Sequence, residues 1–186
     1  MGIVIIVLVA LIVIGGLAYI LIRNGIIGSR NRVDEAWSGI DVQLKRRHDL
    51  VPNLVETVKG YATHEQAVFE KTSKARADAM SARGVGDTAK AEQQLTGALT
   101  DLRAVAENYP QLRATENFTR LQAQLAEIED EIQASRRIYN SNVQIYNTRQ
   151  QIFPNSLVAA RGDFHPREFF EIEVASERNV PEVSFS

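Results

Sequence analysis

The chain has 186 residues, no cysteine and a formal net charge of −2, and these values exclude several classes of protein. Without cysteine there is no disulfide, no thiol chemistry and no sulfur-ligated zinc site, which suits a reducing compartment. Acidic residues outnumber basic ones by 23 to 21. Because no basic field is left to meet phosphates, we expect no nucleic-acid partner.

The first predicted element is a membrane-spanning helix. Residues 3–22 hold no charge and are mostly Ile, Leu and Val, and about 20 apolar residues in a helix cross the hydrocarbon core of a bilayer. The alternative is a cleaved signal peptide, which would have a basic stretch first, a shorter apolar core and a small-residue cleavage site. We therefore predict a retained anchor in the lipid bilayer, represented by Ile3, Leu8, Ile12, Leu17 and Ile22.

Three arginines after this run predict its orientation. Arg23, Arg30 and Arg32 follow the apolar segment, whereas only the α-amino group precedes it. Basic residues near the end of a span favour the cytoplasmic side. We expect a single-pass protein of the bacterial inner membrane with its N-terminus outside and the rest of the chain in the cytoplasm.

A long amphipathic pattern begins at residues 29–32. Apolar residues then recur in steps of three and four, as on the buried stripe of a packed helix. Eight of the nine positions are apolar or aromatic, and Arg47 is the exception: Val33, Trp37, Ile40, Leu44, Arg47, Val51, Leu54, Val58 and Tyr61. Pro52 lies inside this pattern and removes one backbone hydrogen bond, which predicts a kink near residues 48–51.

The pattern resets at Gly60. Thr63 followed by Gln66 resembles a capping box and predicts a further helical segment to about Ala82, so that helix 1 is kinked or broken into two rods in series. Residues 81–86 have the composition of a turn. Asp87 is the expected N-cap of the next helix.

Two further helices follow, each with its own apolar stripe. The first has Ala91, Leu95, Ala98, Leu102, Val105 and Tyr109 and ends at Pro110. The second has Phe118, Leu121, Leu125, Ile128, Ile132, Ser135, Tyr139, Asn142, Tyr146, Arg149 and Phe153 and is stopped by Pro154. The predicted fold is all-α, an elongated antiparallel bundle of three long helices behind a transmembrane helix.

The predicted domains are an anchor and juxtamembrane segment at residues 1–28, a cytoplasmic bundle at 29–161 and an acidic tail at 162–186. One or two helical turns at 156–161 with Gly162 as the stop would close the bundle. The tail contains phenylalanines without a helical or strand period. It therefore either packs back on the bundle through these rings or stays disordered until a partner binds.

The densest charged patch runs from Asp41 to Asp49 and includes Arg46 and Arg47. Most of it fits an ordinary solvated helix face. Arg47 differs because it occupies a stripe position, where a charge must extend to solvent beside the kink or meet a carboxylate on a neighbouring helix. A snorkelling side chain is the simpler interpretation, and a recognition or register-fixing arginine is the functional one.

The third long helix carries residues expected to set packing and assembly. Tyr139, Tyr146 and Phe153 recur every seven residues and are expected in the core. Asn142 is a polar position on the same stripe and could fix helix register or oligomeric state. The three histidines lie on different elements, so no metal site, cofactor or catalytic group is predicted.

Several stretches of the chain, which contain the residues described above, resemble the LemA family. The signature covers Ala36 to Val55, with Trp37, Asp41, Pro52 and Asn53 inside it, and continues through Thr57 to Glu65. Further matching stretches run from Tyr109 to Gln122 and from Tyr139 to Pro154. The resemblance implies an antiparallel helical bundle on a single-pass anchor, without an assigned activity. Some relatives are associated with building or remodelling specialised membranes.

Three functions remain open from the sequence. The first is a structural or scaffolding protein that forms homo-oligomers through its bundle, because an anchor concentrates copies in two dimensions. The second is a monomeric adaptor that presents its tail or the Arg47 patch to a membrane enzyme such as a protease. A hydrolase is the third, although the chain shows no convergent titratable set.

Overall fold

The computed structural model describes residues 1–171, which form helices joined by loops, with no strand among them. This confirms the all-α fold class. The helices are α1 Gly2–Lys59, α2 Gln66–Ser81, α3 Val85–Glu107, α4 Pro110–Arg113, α5 Glu116–Gln151 and α6 Asn155–Ala159.

The chain divides into two compact units. Among the described residues, the first unit comprises residues 1–40 and 135–168, and the second comprises residues 41–134 and 169–171. Helices α1 and α5 therefore contribute to both units. The predicted domain boundaries at residues 28 and 161 stay a prediction.

Helix α1 is continuous from the apolar N-terminal run to Lys59. Pro52 lies inside this helix, and the helix does not end there. The predicted break after Gly60 is confirmed, because a loop lies between Lys59 and Gln66, whereas the kink near residues 48–51 stays a prediction. This loop follows Gly60, where the apolar pattern resets.

The expectation of two rods in series was wrong. Helix α2 turns back along α1 in the second unit, since Arg76 of α2 contacts the backbone of His48 of α1. Helix α3 turns again and lies beside α2, with Lys71 bonded to Asp101 and Thr72 close to Ala98. Part of the predicted first helix thus becomes a separate packed helix.

Two predicted helix starts also need correction. Helix α2 has Glu65 as its N-cap without a side-chain cap bond, so the capping box from Thr63 was wrong. Helix α3 starts at Val85 after Gly84, whose φ of 77° favours glycine at this position. Asp87 is not the N-cap but lies in the first turn of α3, where its negative charge stabilises the helix dipole.

The apolar stripes form most of the core of the second unit. Fully or nearly fully buried members come from α1, α3 and α5, and α2 adds Phe69, Ala75 and Ala79. A buried leucine or isoleucine contributes about 1.5–3 kcal/mol relative to an exposed one. The buried leucine and isoleucine side chains include Leu44, Leu54, Leu95, Leu102, Leu121, Leu125, Ile128 and Ile132. Tyr61 was wrongly placed on the stripe, because it is 44% exposed in the loop after α1.

The first unit packs the C-terminal part of α5 against residues 23–40 of α1. Trp37 meets Tyr139, whereas Arg149 reaches Gly25, so the two helices run in opposite directions. Helix α6 follows and buries Val158 and Ala159. The predicted final turns at 156–161 are confirmed to within two residues.

Candidate functional site: an exposed apolar helix and two polar clusters

The apolar N-terminal run is exposed along its length. Ile3, Leu8, Ile12 and Leu17 are each more than half exposed, and no part of the most apolar 18-residue window is buried. A core helix of a soluble protein would be mostly buried, so this run fits a lipid environment or a signal sequence. Burial begins only at its end, where Ile22 is half-buried and Ile26 is fully buried.

The three arginines predicted to set the orientation differ in environment. Arg23 and Arg32 are exposed, as residues near lipid headgroups would be. Arg30 is half-buried, and its guanidinium lies 6.0 Å from the centre of the Phe164 ring. The orientation across the membrane stays a prediction.

Arg47 pairs with a buried carboxylate in the second unit. Its side chain is only 3% exposed, so the snorkelling interpretation was wrong. One guanidinium nitrogen, Nη2, pairs with Oε2 of Glu92 on α3, and Nη1 donates to Thr96 Oγ1 at 3.2 Å. Arg47 Nε is buried without an acceptor among the described residues. The arginine therefore joins α1 to α3 at one defined register.

Glu92 also binds the residue next to Arg47. His48 Nε2 lies 2.6 Å from Glu92 Oε1, and the carboxylate is fully buried. Burial alone, the largest influence, raises the pKa of Glu92, but the hydrogen bond with His48 and the charge and hydrogen bond of Arg47 together outweigh it. The net effect is a pKa below the ordinary value of 4.5. Glu92 is thus held ionised by two neighbours from α1.

The proline in α1 is matched by an arginine from α2. Pro52 has no N–H to donate to the carbonyl of His48, four residues earlier. Arg76 Nε donates to that carbonyl oxygen at 2.6 Å. A buried carbonyl without a donor would be destabilising, so Arg76 compensates for the bond that Pro52 removes.

Three predicted interaction residues come together at the surface of the second unit. Arg46, Asp49 and Asn53 line an open groove of about 330 Å³ between α1 and α5. Gln124, Glu127, Leu50 and Ile128 complete its lining. The groove has polar side chains of both charges and is shallow, which suits contact with another macromolecule better than enclosure of a small substrate. Asp41 lies outside this groove, and partial burial raises the pKa of its carboxyl group.

The predicted aromatic core is present in the first unit. Tyr139 and Tyr146 are almost fully buried, and the rings of Trp37 and Tyr139 meet edge to face with centroids 5.3 Å apart. Burial raises the pKa of both tyrosines. Phe153 was wrongly assigned to this core, since it lies beyond the end of α5 and is 79% exposed.

The chain after Gly162 packs back on α5. Asn147 Nδ2 donates to the carbonyl of Arg167 at 2.9 Å, and Asn147 Oδ1 accepts the Arg167 N–H at 2.8 Å. Tyr139 donates its hydroxyl proton to the carbonyl of Glu168 at 2.9 Å, and Arg167 pairs with Asp34 at 2.8 Å. Phe170 is fully buried. Of the two expectations for the tail, packing on the helices is confirmed for 162–171, and residues 172–186 lie outside the described part.

Three residues that make the polar contacts described above were not predicted from the sequence. Glu92 is an acidic residue on the buried face of α3, one position from Ala91 of the predicted stripe. Its position beside the stripe was the only feature of the sequence that could have indicated a buried charge. Arg76 and Asn147 carried no comparable signal. Asn142 is half-buried, and its predicted role in assembly remains a prediction.

The histidines do not converge in the described residues. His48 is buried against Glu92, whereas His64 is exposed and His165 is bonded to Asp163 at 2.9 Å. No group of three or more His, Cys, Asp or Glu side chains able to hold a metal ion occurs within residues 1–171.

Comparison with known proteins decides the family. The LemA family profile matches residues 36–185, which is most of the chain. The chain belongs to the LemA family. The matched range includes Arg47, His48 and Glu92, as well as Pro52 and Arg76.

Similar proteins come from three bacteria. Magnetosome protein MamQ 2 of Paramagnetospirillum magneticum is 25% identical, with 77% of this chain and 62% of that protein covered. Magnetosome protein MamQ of Magnetospirillum gryphiswaldense is 24% identical with the same coverage. Protein LemA of Metamycoplasma hominis is 25% identical over 80% of this chain and 68% of its own length. The chain thus spans about 62% of the magnetosome proteins that it matches. The exposed apolar helix and these relatives together indicate a membrane-associated protein.

Proposed function

We propose that this LemA-family chain is a single-pass, membrane-anchored structural protein that self-associates and helps to organise the membrane. The observation that carries the proposal is helix α1, in which an exposed apolar run continues without interruption into a packed helix. The apolar run is therefore part of the same helix as residues 26–40, which pack against α5 in the first unit. The names of two relatives connect those proteins with the magnetosome, which supports a role at a membrane here.

Self-association is supported by apolar side chains on the surface of α5. Ile138 and Ile145 lie seven residues apart on α5 and are 60% and 48% exposed. Residues seven apart lie on nearly the same helix face, as in a coiled-coil seam. A second copy of the chain would bury this stripe and remove apolar surface from water.

The proposal includes the absence of enzymatic activity. Glu92 is fully buried and already bound by Arg47 and His48. A carboxylate in this state has no free lone pair directed at solvent for a substrate. The cluster is therefore assigned to helix register rather than to catalysis.

The test uses the full chain in detergent or nanodiscs. Mass photometry or light scattering should give more than one copy per particle for the parent and one copy for Ile145→Glu. Gln144→Glu is the matched control, because it adds the same charge one residue away and about 100° around the helix, and it should stay oligomeric. A monomeric parent, or equal behaviour of the two variants, would contradict self-association through this stripe.

A membrane adaptor is the second candidate function. It is favoured by the groove that contains Arg46, Asp49 and Asn53, where polar side chains of α1 and α5 are open to a partner. Photo-crosslinking from position 53 in intact cells distinguishes the two functions. One dominant foreign membrane protein supports the adaptor, and crosslinks between copies of this chain support the scaffold.

A further inference from the structure

The end of α5 lies beside the end of the apolar run in the first unit. Arg149 Nη1 donates to the carbonyl of Gly25 at 2.5 Å and to Ser29 Oγ at 2.9 Å. Gly25 is three residues past the last residue of the apolar run. Because α5 and α1 are antiparallel here, the residues after Arg149 continue towards the apolar run. Helix α5 ends at Gln151, so at about 1.5 Å per residue its last residue lies about 3 Å further in that direction, and the chain turns into α6 from there.

Apolar side chains are exposed at this corner between α5 and α6. Ile152, Phe153 and Leu157 are 50%, 79% and 53% exposed, and we call them the corner patch. The neighbouring Val158 and Ala159 are buried, so α6 has one face in the protein and another facing outward. Exposed large apolar side chains grouped in this way mark a contact surface.

The position of the corner patch indicates what covers it. Residues 3–21 of α1 are exposed and apolar, and protein packing begins only at Ile26. The corner patch therefore adjoins the boundary between the lipid-facing and protein-packed parts of α1. Arg23, directly after the apolar run, and Arg161, four residues after Leu157, are also exposed. Aromatic and aliphatic side chains flanked by arginine are the composition that inserts into the interface of an anionic bilayer.

We propose that the corner patch is a second membrane contact, inserted into the lipid interface beside the anchor. A single helix can tilt and rotate in the bilayer. Two attachment points instead fix the depth and direction of the first unit relative to the membrane. The inference rests on the proposed function, because it takes residues 3–22 to lie in the bilayer.

The test measures the depth of single residues in the membrane. Since the chain has no cysteine, single cysteines can be introduced without other changes, and Phe153→Cys or Leu157→Cys removes an exposed side chain that packs little. Ile12→Cys reports on the anchor. Arg137→Cys is the aqueous control, because it is exposed on α5 about 21 Å before this helix ends at Gln151. Each full-length variant is nitroxide-labelled in nanodiscs of phosphatidylcholine and phosphatidylglycerol, and collision with oxygen and with a water-soluble nickel chelate is measured.

If the corner patch is inserted in the lipid interface, the ratio of oxygen to nickel collision rates at positions 153 and 157 should lie between the ratios at positions 12 and 137. It should be several-fold higher than the ratio at position 137. A ratio at 153 equal to that at 137, with position 12 in lipid, overturns the inference and leaves the anchor in place. Water exposure at position 12 overturns the anchor itself. Protection of position 153 from both reagents means that protein covers the patch, as a second copy would, and also overturns the inference.

Discussion

The two units of this protein pack their helices with different chemistry. The second unit places a buried charge cluster of Arg47, His48 and Glu92 among leucine and isoleucine side chains. The first unit instead uses aromatic packing and holds an extended segment through the amide of Asn147. Charge buried between helices penalises every register except the paired one, whereas an amide that binds backbone groups recognises a segment without regard to its side chains.

The largest effect is expected in the second unit. Glu92→Ala would leave Arg47 buried without its carboxylate and should lower the free energy of unfolding by about 3–5 kcal/mol. The matched control is Asp101→Ala, which removes an exposed partner of Lys71 and should cost no more than about 1 kcal/mol. Denaturant unfolding of the full chain in micelles, followed by circular dichroism, measures both. Equal losses would show that the buried cluster contributes no more than a surface pair.

The next effect concerns the proline in α1. Arg76→Met keeps the aliphatic stem but removes the donor to the His48 carbonyl, and should cost about 1.5–3 kcal/mol. In a Pro52→Ala background the new amide can bond to the same carbonyl, so the cost of Arg76→Met should fall by about 1 kcal/mol. A double-mutant cycle measures this coupling. Additive costs would mean that Arg76 does not compensate for Pro52.

The buried cluster also predicts how stability depends on pH. Because the pKa of Glu92 is lowered in the folded state, its contribution is complete above the unfolded value of 4.5 and is lost as pH falls through the lower folded value. The corresponding slope is at most about 1.4 kcal/mol per pH unit for one group. Glu92→Gln should have a flatter stability profile than the parent below pH 4.5. Parallel profiles would assign acid sensitivity to other carboxylates.

The smallest effect belongs to the first unit. Asn147→Ala removes two bonds to the Arg167 backbone and should weaken local docking of residues 163–170 by about 1 kcal/mol, with little change in global unfolding. Hydrogen exchange of the Arg167 amide should accelerate accordingly. Gln144→Ala, which loses an exposed side-chain bond to Thr148 on the same helix, is the control and should leave that exchange rate unchanged. Unchanged exchange in both variants would contradict the role of Asn147.

The sequence was sufficient for features that depend on local periodicity. The buried stripes, the ends of helices at Pro110 and Pro154 and the exposed apolar run all follow from spacing and residue type. The prediction that Phe153 lies in the core was wrong because the seven-residue repeat in the sequence continues past Gln151, where α5 ends. The N-caps of α2 and α3, Glu65 and Gly84, were not predicted because neither makes a side-chain capping hydrogen bond.

Long-range pairing could not be predicted in the same way. Arg47 was recognised as unusual, but its partner is 45 residues away, and periodicity does not say which helices become neighbours. The reversal of the chain between α1 and α2 was not predicted for the same reason. Asn147 contacts backbone atoms of Arg167, and a contact with backbone leaves no complementary side chain to search for.

The most direct test of the membrane-anchor account is to determine which N-terminus the protein has in membranes washed with high salt and alkali. Intact mass analysis of the extracted protein should show residues 3–22 still attached, and the protein should stay with the membrane fraction because that run lies in lipid. Protein that begins beyond Arg23, or that is released into the wash, would contradict the account.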